Sequence, residues 1–291
     1  MVQASMAGKL CLVTGGTSGI GKEVAIGLAR LGAKLVVVGL HPERGGLALE
    51  EITRRSGSKE VSLETLDLTL MGSVRQFAER FVSEHPRLDV LVNDAGGVFS
   101  KRQTTPEGFE RTLALDYLAP FVLSRELLPL LVSSSPSRII NVGSGEHAGG
   151  RIDLEDMQMA QGYASRRAYS NAKLMLTMFT YELARRLAGA DVTANLVQPG
   201  FVATNLGRDS GSRLLWASFR MMRPFQTSPQ KAAETLVYVA SSKEVQGVTG
   251  KCYSKMREVE TSKTSHDREL QTRLWETTSR LLGLPVELSL G

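Results

Sequence analysis

Short apolar runs alternate with amphipathic segments along most of this chain. KLCLVTGG, from Lys9, and AKLVVVGL, from Ala33, are apolar runs, and KEVAIGLARLGA between them repeats its apolar residues at helical spacing. A strand that is buried on both faces has no solvent-facing row of polar residues. The alternation therefore predicts a parallel sheet with helices packed on both of its faces.

The same alternation continues towards the end of the chain. Further strands are predicted in EVSLETLDL, RLDVLVNDAG, SRIINVGS and DVTANLVQPG and near 250–254, with helices between them that include a long one around 109–131. We therefore predict an α/β fold, a single doubly wound Rossmann-type domain over 1–291 with a seven-stranded parallel sheet. A substrate lid is predicted over about 205–226 and an amphipathic C-terminal helix over about 266–282.

Composition and charge narrow the kind of protein. With 291 residues, of which 42% are hydrophobic, the chain can bury one full core. The net charge is +5, but basic residues are interleaved with acidic ones and only 6% of residues are aromatic, so we expect no nucleic-acid partner. The two cysteines give neither a disulfide framework nor a metal-ligand spacing, and we expect no metal. No leader-like start and no apolar run of about 18 residues occur, which predicts a cytoplasmic protein.

A glycine-rich turn follows the first predicted strand. In TGGTSGIG, residues 14–21, the glycines come after a strand and open a helix. Backbone of this kind lets a pyrophosphate approach the free N–H groups at the helix start. A purely structural turn that needs positive φ is the alternative, and the strand before and helix after disfavour it. The candidate cofactor-binding residues of this turn are Gly15, Thr17, Ser18, Gly19, Ile20 and Gly21.

A serine, a tyrosine and a lysine in the second half of the chain form a candidate catalytic group. Tyr169 and Lys173 lie four residues apart in a segment of helical pattern, so they share one helix face. The phenol has an ordinary pKa of about 10, and a nearby positive charge favours its ionised form. Ser144 ends the strand SRIINVGS, and sites of parallel sheets form at such strand ends. With the glycine turn, this group predicts an oxidoreductase in which a proton moves at a carbonyl or alcohol oxygen as hydride moves at carbon.

Taken in this order, the motifs resemble the short-chain dehydrogenase/reductase family over nearly the whole chain. The resemblance implies that Ser144 bonds the substrate oxygen and that Tyr169 is the general acid/base. It implies that Lys173 binds the nicotinamide ribose and lowers the Tyr169 pKa, and that Asp67 accepts from the adenine amino group. The further cofactor-binding residues it implies are Leu68, Asn93, Ala95, Gly96, Tyr169, Lys173, Pro199, Gly200, Val202 and Thr204.

Two carboxylates depart from the family pattern. Asp94 replaces the second Asn of the family's NNAG, and Asp116 stands where the family has an Asn that supports a water relay from the lysine. An ionised Asp116 accepts hydrogen bonds but cannot donate them. If it is buried near Lys173, it would pair with the ammonium and change the Tyr169 pKa. We therefore count Asp116 among the catalytic candidates and expect activity with a shifted pH profile. A nucleotide sensor without turnover stays an alternative.

The choice between NAD and NADP depends on the residues that end the second strand. They read Gly39-Leu40-His41, without the carboxylate that would bind a ribose 2′-hydroxyl. This favours NADP over NAD, with His41 and Arg44 as the cations for a 2′-phosphate. A solvated helix start would explain these two charges equally well.

The segments GGRIDLEDMQ and RLWETTSRLLG resemble the retinol-dehydrogenase-like branch of the family. That resemblance implies a small apolar alcohol or carbonyl substrate. The segment DSGSRLLWASFRMMRPFQ, residues 209–226, mixes apolar side chains with three arginines. It suits a lid over an apolar pocket, a helix on a membrane surface or a helix packed on the core. Peripheral membrane contact and a homo-oligomer both stay open.

Overall fold

A single sheet runs through the molecule. The structure is a computed structural model that describes residues 4–202 and 226–290. Its strands are β1 Leu10–Thr14, β2 Lys34–Gly39, β3 Val61–Thr65, β4 Val90–Asn93, β5 Ser137–Val142, β6 Val192–Val197, β7 Cys252–Ser254 and β8 Arg257–Glu258. They lie in the order β3-β2-β1-β4-β5-β6-β7-β8. The crossovers on both sides of β1 make this the doubly wound arrangement that the alternation predicts.

Helices cover both faces of the sheet. They are α1 Gly19–Arg30, α2 Pro42–Ser56, α3 Met71–Glu84, α4 111–126, α5 Leu128–Ser133, α6 Ser165–Arg186, α7 Pro229–Ser241 and α8 Arg268–Leu281. Apolar side chains of α3, α4, α5, α6 and α8 fill one side, and those of α1, α2 and α7 fill the other. Strands β1, β2, β4, β5 and β6 are almost completely buried between the two layers, which explains their unbroken apolar runs. In the described part of the chain, no helix is long and apolar enough to cross a membrane.

The prediction of seven parallel strands is corrected in one detail. β1 to β7 pair in parallel, but an eighth strand, β8, pairs antiparallel with β7. The chain turns back through Lys255 and Met256, whose φ angles are +51° and +59°. A tight hairpin of this kind adds a two-residue strand that has no apolar run of its own. The α/β parallel fold is confirmed.

The helix predicted around 109–131 is interrupted. Within α4 the ordinary helical segments Arg111–Leu113 and Ala119–Glu126 flank a π-helical turn, Ala114–Leu118. The break between α4 and α5 lies just before Pro129, which has no N–H to continue the hydrogen-bond ladder. A π turn inside a helix is frequent at functional sites. Here it carries Asp116.

The C-terminal helix α8 lies within the predicted range and packs against the helices of the catalytic group. Trp275 is 1% exposed and contacts Phe121 of α4 and Phe179 of α6, at ring-centroid distances of 5.0 Å and 5.9 Å. Its indole N–H donates to the carbonyl oxygen of Val286 at 2.7 Å. The C-terminal segment therefore supports the elements that carry Asp116 and the tyrosine-lysine pair.

Candidate active site

The carboxyl ends of β1 to β6 open on one cleft of about 1220 Å³. Three of the predicted site residues are buried and do not line this cleft: Gly21, Asn93 and Asp116. Residues 203–225, which hold Thr204 and nearly all of the predicted lid, lie outside the described residues. The predicted residues that line the cleft are Gly15, Thr17, Ser18, Gly19, Ile20, His41, Arg44, Asp67, Leu68, Ala95, Gly96, Ser144, Tyr169, Lys173, Pro199, Gly200 and Val202.

The glycine turn presents backbone to the cleft. Gly15 and Gly19 have φ angles of +68° and +55°, the left-handed region that glycine adopts without strain. α1 starts at Gly19, and in this described stretch Ser18 makes no side-chain capping hydrogen bond and the first turn holds no acidic residue. Most of the N–H groups at the start of α1 are therefore available to an anion. This geometry fits a dinucleotide pyrophosphate.

Thr14 joins the glycine turn to the loop after β4. Its hydroxyl accepts from the backbone N–H of Asp94 at 3.1 Å and of Ala95 at 3.2 Å. The loop is thereby held against the turn. Thr14 was not among the predicted site residues, although a polar residue that ends an apolar strand directly before the glycines was a usable signal.

Two buried asparagines lie opposite each other on β4 and β5. Asn93 Nδ2 donates to Asn141 Oδ1 at 2.8 Å, and Asn141 Nδ2 donates to Thr180 Oγ1 of α6 at 2.9 Å. Asn93 is 2% exposed. These amides join two strands to α6, the helix that carries Tyr169 and Lys173, so Asn93 lies behind the cleft. Asn141 was missed, although an asparagine inside the apolar run IINV indicated a buried hydrogen bond.

Tyr169 and Lys173 lie one turn apart on α6, as their spacing predicts. The Lys173 ammonium lies 5.6 Å from the centre of the Tyr169 ring and donates to the carbonyl oxygen of Val142 at 3.1 Å. It forms an ion pair with Asp116 Oδ1 at 3.1 Å, with side chains 5% and 0% exposed. The other oxygen, Oδ2, accepts from the N–H of Gly97 at 3.0 Å. The π turn thus places the expected carboxylate against the lysine.

The charge on Lys173 is stabilised by its neighbours. Burial by itself lowers the Lys173 pKa, but Asp116 and Tyr169 outweigh burial and leave that pKa above its ordinary value. Lys173 therefore stays protonated across the neutral range. It provides a permanent positive charge beside the phenol.

The pKa of Tyr169 is raised above its ordinary value. Burial is the main cause, and the negative charge of Asp116 adds to it, while Lys173 and a hydrogen bond with Ser144 act in the opposite direction. Lys173 does lower the pKa, as the family resemblance implies. In this structure burial is the larger effect, so Tyr169 holds its proton at neutral pH.

Ser144 lies two residues after β5 and caps the start of a short 3₁₀ turn, Gly145–Gly149. Its hydroxyl accepts from the N–H of Glu146 at 3.3 Å, and its carbonyl oxygen lies 2.7 Å from His147 Nδ1. His147 Nε2 accepts from the backbone N–H of Ser262 at 3.0 Å, so the ring proton of the neutral imidazole lies on Nδ1. His147 thus joins the serine to the C-terminal segment. His147 was not among the predicted site residues, because a lone histidine carries no spacing signal.

At the other end of the cleft, polar side chains follow β2 and β3. Asp67 lies two residues after β3, and its Oδ1 accepts from the N–H and hydroxyl of Thr69 at 2.9 Å and 2.7 Å. His41 precedes α2 and is exposed. Lys22, which was missed, also lines the cleft and pairs with Glu51 at 2.5 Å. An adenosine half with a charged phosphate would find polar partners here.

The cleft also has apolar walls. The side chain of Phe99 lies under the guanidinium of Arg111, 4.3 Å from its ring centre, and Arg111 donates to Gln103 Oε1 at 2.6 Å. Leu115 and Phe201 also line the cleft. A pocket of this kind suits an apolar ligand with few polar groups.

Comparison with known proteins agrees with this geometry. A model of the short chain dehydrogenase family matches residues 9–214. Retinol dehydrogenase 13 of Mus musculus is 38% identical over 287 residues, which cover 97% of this chain and 86% of that protein. Polyprenol dehydrogenase of Mus musculus is 39% identical over 282 residues, covering 95% and 84%. The structure of a Pseudomonas aeruginosa RhlG/NADP active-site complex superposes with a TM-score of 0.68 at 26% identity, covering 87% of this chain and 97% of that one.

Proposed function

The chain belongs to the short chain dehydrogenase family of NAD(P)-dependent oxidoreductases, and on that premise we propose that it interconverts an apolar alcohol and its aldehyde or ketone, with NADP preferred. The main observation in support is that Ser144, Tyr169 and Lys173 line the same cleft as the glycine turn, where the Ser18 side chain does not cap the following helix. Two relatives are named for retinol and polyprenol, which are apolar isoprenoid alcohols. The apolar cleft walls agree with such a substrate.

Tyr169 and Ser144 act on the substrate oxygen in this proposal. When bound, the cofactor supplies the hydride that reaches the carbonyl carbon. Tyr169 gives its phenolic proton to the carbonyl oxygen, so that the C=O bond becomes CH–OH, and it takes the proton back in the reverse direction. The hydroxyl of Ser144 donates a hydrogen bond to the same oxygen and stabilises the charge that develops there.

Lys173 and Asp116 act through the phenol. The Lys173 ammonium stabilises the phenolate that remains after proton transfer, and Asp116 holds the ammonium in place. The raised pKa of Tyr169 keeps the acid form present at neutral pH. We therefore favour carbonyl reduction as the faster direction there, with oxidation increasing as the pH rises.

The remaining cleft residues are proposed to hold the dinucleotide. The glycine turn would bind the pyrophosphate, Asp67 the adenine amino group, and His41 with Arg44 the 2′-phosphate. The backbone after β6 would lie beside the nicotinamide. The residues proposed for that segment are Pro199, Gly200, Val202 and Thr204, of which the last lies outside the described residues.

NADPH consumption tests the proposal. Purified protein is mixed with NADPH or NADH and with all-trans-retinal, a long-chain prenyl aldehyde or a polar aldehyde as control, and the loss of reduced cofactor is followed by absorbance. We expect turnover of the apolar carbonyls, faster with NADPH. Cofactor binding without turnover of any carbonyl would contradict the proposal and favour a nucleotide sensor.

A further inference from the structure

Asp94 lies directly beneath the glycine turn. Its carboxylate accepts a hydrogen bond from the N–H of Gly21, in the first turn of α1. The approach is close, because a Cβ built on Gly21 would lie 2.6 Å from Asp94 Oδ2. Lys22, the next residue of α1, pairs its ammonium with Glu51 at 2.5 Å. Asp94 therefore already occupies one of the N–H groups that the start of α1 offers to an anion.

The nearby positive charge is shared between two carboxylates. Lys173 of α6 interacts with Asp94, with Asp116 of α4 and with Tyr169. Its close ion pair, at 3.1 Å, is with Asp116. Asp94 therefore faces a cation whose charge another carboxylate already balances. The family pattern NNAG has a neutral Asn at this place, so this chain carries one more negative charge here than that pattern does.

Partial burial shifts the titration of Asp94 towards neutral pH, and Asp94 still lines the cleft. Burial raises the pKa of Asp94 to about 7, against the opposing effects of Lys173 and the Gly21 N–H. A dinucleotide brings the negative charges of its pyrophosphate to the same helix start. Since like charges disfavour each other, the bound cofactor would raise the pKa of Asp94 further.

We propose that protonation of Asp94 controls dinucleotide affinity. The neutral carboxyl permits the cofactor to bind and the ionised carboxylate opposes binding, so that binding near neutral pH takes up a proton. This inference rests on the proposed function, since it needs a dinucleotide in this cleft. Linkage between proton binding and cofactor binding determines how strongly the dissociation constant depends on pH. If binding raises the pKa of Asp94 by one unit, from about 7 to about 8, the dissociation constant rises about fivefold between pH 6 and pH 8.

The dissociation constant of NADPH should be measured between pH 6 and pH 8 for the unmodified chain and for Asp94→Asn. The Asn oxygen still accepts from the Gly21 N–H but carries no charge. Titration of the 2′-phosphate is common to both proteins, so the ratio of their constants isolates Asp94. We expect that ratio to increase from about 1 at pH 6 to about 5 at pH 8. Asp153→Asn removes an exposed carboxylate outside the cleft and should behave as the unmodified chain.

A second measurement detects the proton directly, starting with the unmodified chain. Calorimetric titration of the unmodified chain with NADH, in buffers of different ionisation enthalpy, reports protons taken up on binding. We expect net uptake at pH 7.5, and its loss in Asp94→Asn. A ratio of dissociation constants that stays flat with pH, or no proton uptake, would overturn the role of Asp94 while leaving the proposed function intact. Failure of both cofactors to bind at any pH would instead contradict the proposed function.

Discussion

The proposed catalytic end and the proposed cofactor end of the cleft, called below the catalytic end and the cofactor end, are built from different kinds of contact. At the catalytic end, Lys173 and Asp116 are almost completely buried and interact through charge. At the cofactor end, the glycine turn presents backbone N–H groups, and His41 is exposed. Charges have larger effects on pKa when water is excluded. Changes at the catalytic end should therefore alter rate and its pH dependence, and changes at the cofactor end should alter affinity.

The largest effect is expected at the catalytic end. Tyr169→Phe removes the hydroxyl that exchanges the proton but keeps the ring on α6, so kcat for carbonyl reduction should fall about a thousandfold. The dissociation constant of NADPH should change by less than about twofold. Steady-state rates and a fluorescence titration measure the two quantities. If more than about a tenth of the rate remains, Tyr169 is not the proton donor.

Backbone packing at the cofactor end should give the next largest effect. In Gly21→Ala the new Cβ would lie 2.6 Å from both the carbonyl oxygen of Gly15 and Asp94 Oδ2, so the turn must shift. We expect NADPH to bind about tenfold more weakly and the domain to lose about 1–3 kcal/mol of unfolding free energy. Gly46→Ala in α2 is the control, because its Cβ would meet nothing within 4 Å. Equal behaviour of the two variants would show that the turn tolerates a side chain.

Two side chains at the cofactor end, the exposed His41 and the half-buried Arg44, should contribute less. Replacement of both His41 and Arg44 by Ala should weaken NADPH binding about fivefold to tenfold, because each partner of a 2′-phosphate contributes about 0.5–0.7 kcal/mol near the surface. NADH, which has no 2′-phosphate, should bind as before. Arg54→Ala, an exposed arginine of α2 outside the cleft, controls for net charge. A parallel loss for both cofactors would argue against recognition of the 2′-phosphate by this pair.

The smallest expected effect is a shift of the pH profile. It arises at the buried, catalytic end of the cleft. The charge of Asp116 raises the pKa of Tyr169, so Asp116→Asn should lower it. Oxidation needs the phenolate and reduction needs the phenol, so both limbs of kcat/KM should move to lower pH, by up to about one unit. Profiles of the variant, the unmodified chain and Asp153→Asn can be compared directly. Superimposable profiles would remove Asp116 from the catalytic group.

Some of the site was predictable because local spacing determines it. The order of strand, glycine turn and helix at residues 14–21 requires no distant contact. The spacing of Tyr169 and Lys173 places them on one face of any helix that contains them. The carboxyl ends of parallel strands meet at one edge, which brings Ser144 to the same cleft as the turn. These features follow from the periods of helix and strand.

Other parts could not be predicted because they depend on contacts distant in sequence. Thr14 meets the loop after β4, some eighty residues away, and His147 meets Ser262. β8 forms only because β7 is beside it, and its two residues have no apolar pattern. Asn93 of β4 donates to Asn141 of β5, nearly fifty residues further along the chain. No spacing within a single element encodes any of these pairs.

The sequence by itself determined the parallel α/β sheet, the glycine turn and the identity of the Ser144, Tyr169 and Lys173 group, because these depend on residue order and period. Only the tertiary structure decided the electrostatics of that group. It placed Asp116 on Lys173 through a π turn, and it buried Tyr169 enough that its pKa is raised despite the lysine. The physical reason is that a pKa depends on how much water is excluded and on which charges remain nearby, and folding sets both.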